Sequence, residues 1–303
     1  MSARKGRAPA ADPSLLDGRI IAAHGRQYIV ELGYGSRLPC FPRGKKSEVA
    51  VGDRVGIARA SADQGVIEVV ETRRSLLYRS NEIRQKLIAA NVDQLVVVVA
   101  TEPAFSDELL TRSLLAAEDQ EIIPLIVLNK CDLSERVATA RARLQLFATL
   151  GYRILELSAR DHAEALRPEL QGRTSVLVGQ SGMGKSTLVN ALIPDAGAAT
   201  REISLALDSG KHTTTHATLY HLDADSDLID SPGLQEFGLG HLDRDALGWA
   251  FREFRPFLGQ CRFRDCQHDR EPGCALGAAV AAGQIDPRRL ALYQRIAAVH
   301  HPR

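Results

Sequence analysis

Gly179-Gln180-Ser181-Gly182-Met183-Gly184-Lys185-Ser186 is a complete G-x-x-x-x-G-K-S run. The residues before it, Ser175 to Val178, read as a buried strand, and those from Lys185 to Leu192 read as a helix. In that setting the glycines let backbone N–H groups wrap a phosphate, and the helix N-terminus faces the same anion. Lys185 is expected to reach the outer phosphate oxygens and the Ser186 hydroxyl to bind Mg²⁺. Thr187 is counted with the loop as a binding residue.

Working outward, the sequence supplies three further short motifs. Upstream, Asn129-Lys130-Cys131-Asp132 reads N-K-x-D at the end of the apolar run Ile122 to Leu128. The Asp132 carboxylate can accept from guanine N1–H and N2–H₂, a donor pair that adenine lacks. Asn129 either reaches the O6/N7 edge or ties the loops together. The Lys130 stem is expected to cover one face of the base, and Cys131 to pack. Ser158-Ala159 ends the next strand, where the Ala159 N–H is placed to donate to guanine O6. Downstream, Asp230-Ser231-Pro232-Gly233 reads D-x-P-G. Asp230 is expected to meet Mg²⁺ through a coordinated water, and the Gly233 N–H to lie near the γ-phosphate. An ordinary GTPase runs phosphate loop, D-x-x-G, N-K-x-D, S-A. Here the cyclic order is the same but the chain opens elsewhere, a circular permutation.

Between the phosphate loop and Asp230 lies Gly210-Lys211-His212-Thr213-Thr214-Thr215-His216, where a switch loop belongs. Thr214 is the first choice for its Mg²⁺ ligand and Thr213 the second. Leu234 follows Gly233 and cannot hydrogen-bond an attacking water. His212 is the best candidate for that catalytic task, beside Lys185, and Gln235 is the second.

The 303 residues have a net charge of only +1, but the charge is unevenly spread. Residues 1–86 carry 16 Lys/Arg against 9 Asp/Glu, residues 87–242 carry 12 against 21, and residues 243–303 carry 10 against 7. Two basic ends around an acidic middle suggest that the ends touch a polyanion. No apolar run approaches the roughly 20 residues that span a bilayer. Residues 1–14 read as a disordered basic tail. Residues 15–72 show short β-branched runs between glycine turns, the pattern of a small barrel such as an OB-fold. Residues 73–242 hold the α/β GTPase pattern. Residues 243–303 turn helical, with one helix expected over 243–258, another near 275–282 and a last one from 286 to about 300.

Cys261, Cys266, His268 and Cys274 put three sulfurs and an imidazole within 14 residues. Soft ligands in that number match a closed tetrahedral Cys₃His zinc site. Cys40 and Cys131 stand apart from it.

These stretches together resemble the bacterial ribosome-small-subunit-dependent GTPase A family. The resemblance rests on the permuted order, Gly-Lys-His-Thr-Thr-Thr, Asp-Ser-Pro-Gly-Leu-Gln-Glu-Phe, and Cys-Arg-Phe-x-Asp-Cys-x-His-x-x-Glu-Pro-Gly-Cys. It spans about residues 15–300 and includes a hydrophobic residue at position 234. It implies a multidomain chain with an N-terminal OB-fold barrel, a permuted α/β GTPase core and a C-terminal helical zinc domain. It also implies a late role in maturing the small ribosomal subunit, with hydrolysis stimulated by that subunit. The expected cofactors are one structural Zn²⁺, and Mg²⁺ with GTP. The expected partners are GTP or GDP and the small subunit with its rRNA. The protein is expected to be a cytoplasmic monomer with no membrane contact. Two other readings compete: a non-hydrolysing RNA-binding module, and a P-loop kinase or ATPase, which Asn129 and Asp132 oppose.

Overall fold

Val96, Val97, Val98 and Val99 follow one another in β8 (Gln94–Ala100). Branched side chains favour the pleat, and an unbroken apolar run leaves no face for solvent, so this strand must be covered on both sides. It is buried throughout and runs through the α/β sheet. The computed structural model describes residues 14–33, 35–44, 48–80, 85–197, 217–231, 237 and 239–300. The basic tail before Ser14, the switch around His212 and Thr214, and Gly233, Leu234 and Gln235 lie outside the described residues.

β9 (Ile123–Asn129) and β11 (Thr174–Val178) flank β8 and run parallel to it. β10 (Arg153–Glu156) extends the sheet beyond β9. On the other side, β13 (Asp227–Asp230) pairs parallel with β11, and β12 (Thr218–His221) antiparallel with β13. Ser175 Oγ donates to Gln94 Oε1 at 2.9 Å inside this sheet, pairing two buried polar side chains. Helices α1 (Asp107–Asp119), α2 (Ser134–Thr149), α3 (Arg167–Leu170) and α4 (Lys185–Leu192) connect the strands. α1 starts cleanly: Ser106 Oγ accepts the Leu109 N–H at 3.3 Å, and Asp107 and Glu108 oppose the helix dipole in its first turn.

Ahead of this core, β1 (Leu16–His24), β2 (Gln27–Leu32), β3 (Arg37–Pro42), β4 (Arg54–Arg59) and β5 (Gly65–Val70) form a barrel. Its strand order is β1-β2-β3-β5-β4, closed by β4 against β1, with β3 and β5 parallel. That is the five-stranded OB-fold. β1 is irregular between Ile20 and Ala22, and beyond that point Ala22 pairs with Thr218 of β12. Barrel and core therefore share one eleven-stranded sheet.

Charged side chains reinforce that seam. Arg19 Nη1 meets Asp227 Oδ2 at 2.5 Å, and Arg19 Nη2 donates to Thr174 Oγ1 at 3.0 Å. His221 has Asp227 Oδ1 at 2.7 Å from Nδ1 and Glu31 Oε2 at 2.7 Å from Nε2. With a carboxylate at each nitrogen the ring is held as a cation, and its pKa is raised, chiefly by the Asp227 hydrogen bond. A hairpin of β6 (Leu76–Ser80) and β7 (Gln85–Ala90) follows the barrel. The chain entering it is pinned where the Arg73 fork grips buried Asp53, Nε to Oδ1 at 2.7 Å and Nη2 to Oδ2 at 2.8 Å.

The helix expected over 243–258 is two pieces. Arg244–Ala250 is α-helical, Phe251 is extended, and Arg252–Phe257 is a 3₁₀ turn containing Pro256. Proline lacks the N–H that an α-helix needs there, and residues three apart also share a face of a 3₁₀ turn. Phe251 and Phe254 stack at 4.6 Å between centroids, and Tyr293 meets both edge-on at 5.7 and 5.6 Å. Helices Ala275–Ala281 and Pro287–His300 complete this domain. Among the described residues no helix is long and apolar enough to cross a membrane.

Candidate nucleotide site and metal centre

The motif residues converge because β9, β10, β11 and β13 all end at one edge of the sheet, where an open α/β fold holds its ligands. β11 leads into Gly179, at φ 148°, whose added Cβ would strike the Val98 carbonyl. Gly184 sits at φ 90°, and a Cβ there would strike Asn129 Nδ2. Only glycine permits these close approaches. α4 begins at the next residue, so its free N–H groups open onto a pocket of about 670 Å³. That volume suits a nucleotide.

Asn129 holds the pocket together. Its side chain is buried, and Oδ1 accepts the Lys130 N–H at 2.8 Å and the Ala159 N–H at 2.9 Å. Nδ2 donates to the Met183 carbonyl at 2.8 Å. One side chain thus joins three motifs that are far apart in sequence. Of the two tasks open to Asn129, the structure gives it the tying one. The Ala159 N–H, expected on guanine O6, donates to Asn129 Oδ1 in this structure.

Lys130, Asp132, Ser158 and Ala159 line one part of the pocket. Lys130 Nζ reaches the Glu102 carbonyl at 2.7 Å, which stretches its stem along the wall. Ser181, Gly182, Gly184, Lys185, Ser186 and Thr187 line the phosphate part, with Asp230 facing them. Lys185 Nζ folds onto the Gly179 and Gln180 carbonyls at 2.6 and 2.9 Å. Burial lowers its pKa and nearby Asp230 opposes that shift, while burial raises the pKa of Asp230 and Lys185 opposes it. The two charges share a poorly solvated site suited to a phosphate and its cation.

Some motif residues turn away. Cys131 Sγ contacts the Leu128 carbonyl at 3.3 Å, and burial raises its thiol pKa, so it packs rather than reacts. Met183 is buried. The Gln180 side chain leaves the pocket for the Ser106 N–H, at 2.7 Å. Two lining residues escaped the sequence reading, Leu133 and Arg160. Each directly follows a motif, and that adjacency was the only available signal.

At the other end of the chain, Cys261, Cys266, His268 and Cys274 bring their ligand atoms within 4.8 Å of one another. His268 Nδ1 lies 3.5, 3.7 and 3.5 Å from the Cys261, Cys266 and Cys274 sulfurs. A tetrahedron with Zn–S near 2.3 Å and Zn–N near 2.0 Å has N···S edges of about 3.5 Å. The donor set fits one tetrahedral metal ion. The Ala275 and Gly277 N–H groups point at the Cys261 and Cys274 sulfurs, at 3.3 and 3.4 Å, as second partners for thiolates. Burial lowers the His268 pKa, keeping the ring neutral and able to coordinate. The ring is aimed by a backbone at φ 58° and by Gln294 Nε2, which donates to the His268 carbonyl at 2.7 Å.

Comparison with known proteins agrees with this geometry. The RsgA GTPase family model matches residues 70–240. The chain is 59% identical over 284 residues to the small ribosomal subunit biogenesis GTPase RsgA of Burkholderia pseudomallei (strain K96243), covering 92% of this chain and 90% of that protein. It is 56% identical over 287 residues to the protein of that name from Ralstonia pickettii (strain 12J), covering 92% and 91%. Among solved structures, YjeQ from Thermotoga maritima superposes with a TM-score of 0.70 at 30% identity, covering 95% of this chain and 99% of that one. YloQ, a circularly permuted GTPase, superposes with a TM-score of 0.68 at 28% identity, covering 97% and 99%. With the permuted motifs meeting in one pocket, an OB-fold barrel before them and a Cys₃His cluster after them, the chain belongs to the RsgA GTPase family.

Proposed function

We propose that this chain hydrolyses GTP as a checkpoint factor in the late maturation of the small ribosomal subunit. In this reading it binds the subunit in its GTP form, is stimulated by it, and leaves after hydrolysis. The observation that carries the reading is the Asn129 hub, which holds the base-reading and phosphate-holding segments in one pocket. Family membership supports the ribosomal role, because relatives bear the name of small-subunit biogenesis GTPases.

Within the pocket, Asp132 reads the guanine edge and the Lys130 stem lies against the ring. The loop from Gly179 to Gly184 and the start of α4 bind the phosphates with Lys185, Ser186 and Thr187, and Gly233 receives the γ-phosphate. Ser186, Thr214 and Asp230 hold Mg²⁺, which neutralises phosphate charge when bound. Leu234 cannot orient a water, so His212 takes that task, with Gln235 as the alternative. Cys261, Cys266, His268 and Cys274 hold one structural Zn²⁺.

The working division is an OB-fold over residues 15–72, a permuted GTPase core over 73–242 and a zinc domain over 243–303. The basic first and last parts bind rRNA, mainly through phosphates. The protein acts as a cytoplasmic monomer.

The test is GTP turnover with and without purified small subunits, beside co-sedimentation with GDP and with a non-hydrolysable GTP analogue. Stimulation and preferential co-sedimentation with the analogue are expected, both weakening as salt rises. Equal sedimentation in the two nucleotide states would sink the checkpoint role. Full stimulated turnover by His212→Ala would sink only the role of His212.

A further inference from the structure

α1 contacts the phosphate loop at one end and the C-terminal domain at the other, and GTP hydrolysis as described uses neither contact. At its start, Gln180 Oε1 accepts the Ser106 N–H at 2.7 Å, while Ser106 Oγ caps the helix. Gln180 lies inside the phosphate loop, so this bond ties the phosphate-holding backbone directly to the first turn of α1. Phe237, just beyond the D-x-P-G segment, is buried and lines a small cavity together with Leu109, Leu110, Gly179 and Gln180. The phosphate loop, through Gln180, and Phe237 therefore both meet the space at the same end of one helix.

At the far end, the nearly buried Glu118 carboxylate takes Arg252 Nε at 2.5 Å and Arg255 Nη2 at 2.7 Å. Midway, Thr111 Oγ1 accepts Arg289 Nη1 at 2.9 Å, and Arg289 is buried against Glu253. All three arginines belong to the C-terminal domain. Thirteen residues of helix span about 20 Å at 1.5 Å per residue. Close-packed helices shift as units, by about 1–2 Å in switching proteins. A displacement at Ser106 is then felt at Glu118.

We propose that α1 couples the phosphate loop to the C-terminal domain, with Gln180 as the positioning residue at the nucleotide end and Glu118 as the anchor at the other. This rests on the nucleotide reading of the pocket. The force path is a helix that precedes both the phosphate loop and the C-terminal domain in the sequence.

The chain carries its own reporter. Trp249 is the single tryptophan, and Arg255 lies 5.4 Å from its ring while also holding Glu118. The experiment uses the full-length, metal-loaded protein. Calorimetry measures GDP and GTP-analogue binding, and Trp249 emission is recorded at saturation with each, excited where the nucleotide does not absorb. The parent protein is expected to give different emission with the two nucleotides. Gln180→Leu, which keeps bulk but loses the acceptor, is expected to lose that difference. Gln180→Glu, which keeps an acceptor at the helix N-terminus, is expected to retain it. Glu118→Gln is expected to lose the difference with both affinities within about twofold of the parent, since Glu118 is remote from the pocket. Identical parent emission in both states, or a full difference in Gln180→Leu, would overturn the proposal. Calorimetry showing no binding by the parent would overturn the nucleotide site, and the proposal with it.

Discussion

Replacing Asn129 by alanine removes the three hydrogen bonds that join the N-K-x-D, S-A and G-x-x-x-x-G-K-S segments. Two of the deserted groups, the Ala159 N–H and the Met183 carbonyl, belong to residues only 5% and 1% exposed, so water does not readily replace the lost partner. Leaving a buried donor or acceptor unpaired costs roughly 1–3 kcal/mol, so the pair costs about 2–6 kcal/mol. At about 1.4 kcal/mol per factor of ten, the middle of that range is roughly a thousandfold. The protein makes these bonds by itself, so part of the loss falls on stability and part on affinity, and their sum is the quantity to compare. Denaturant unfolding gives the first part and calorimetric titration with GDP the second. If both together stay within about 0.5 kcal/mol of the parent, the level of an ordinary surface change, the hub does not hold the site together.

Asp132→Asn should weaken GTP by about tenfold to a hundredfold, the loss of charge-assisted hydrogen bonding, and should shift preference toward xanthine nucleotides, read by competition binding. Freshly purified protein should contain one zinc per chain by metal analysis, and chelation should speed hydrogen exchange in the helix Pro287–His300, whose Gln294 holds the His268 carbonyl; unchanged exchange after metal removal would contradict a structural role. The raised pKa of His221 carries a sign: its stabilisation is complete below the ordinary value of 6.5 and is lost as pH climbs through the raised one. Between about pH 6 and 9 the parent should lose more melting temperature than His221→Gln, and a gap between the two that does not vary with pH would remove the cationic reading.

Some of this was legible because physics leaves a periodic mark. β8, β9 and β11 read as apolar runs since both their faces are covered, and the glycine loop between β11 and α4 is a local shape that only certain residues adopt. β3 was not read, since Pro39 and Pro42 argue against a strand, and its parallel pairing with β5, a run that was legible, leaves no mark in local periodicity. Phe251 and Phe254 misled because a spacing of three serves both helix types. Membership in a motif also failed to say where a side chain points. Gln180 belongs to the phosphate loop, yet its side chain bonds to the start of α1. The Arg19–Asp227 pair joins residues 208 positions apart, and nothing local announces it.

The pairing of β1 with β12 sets an order of assembly during translation. Ala22 is made about 200 residues before Thr218, a delay of roughly 10–40 seconds at ordinary synthesis rates of about 5–20 residues per second. The barrel closes through β4 without waiting, but the far part of β1 stands as an open strand edge for that interval. Meanwhile β8, β9 and β10 emerge as consecutive parallel neighbours, so the half of the sheet carrying the N-K-x-D and S-A motifs is synthesised before the glycine loop exists. A GTPase with the usual motif order makes its phosphate loop first. In this chain β11, which leads into the glycine loop, is added onto a half of the sheet that already carries the N-K-x-D and S-A motifs, and β12 then covers the open edge of the barrel.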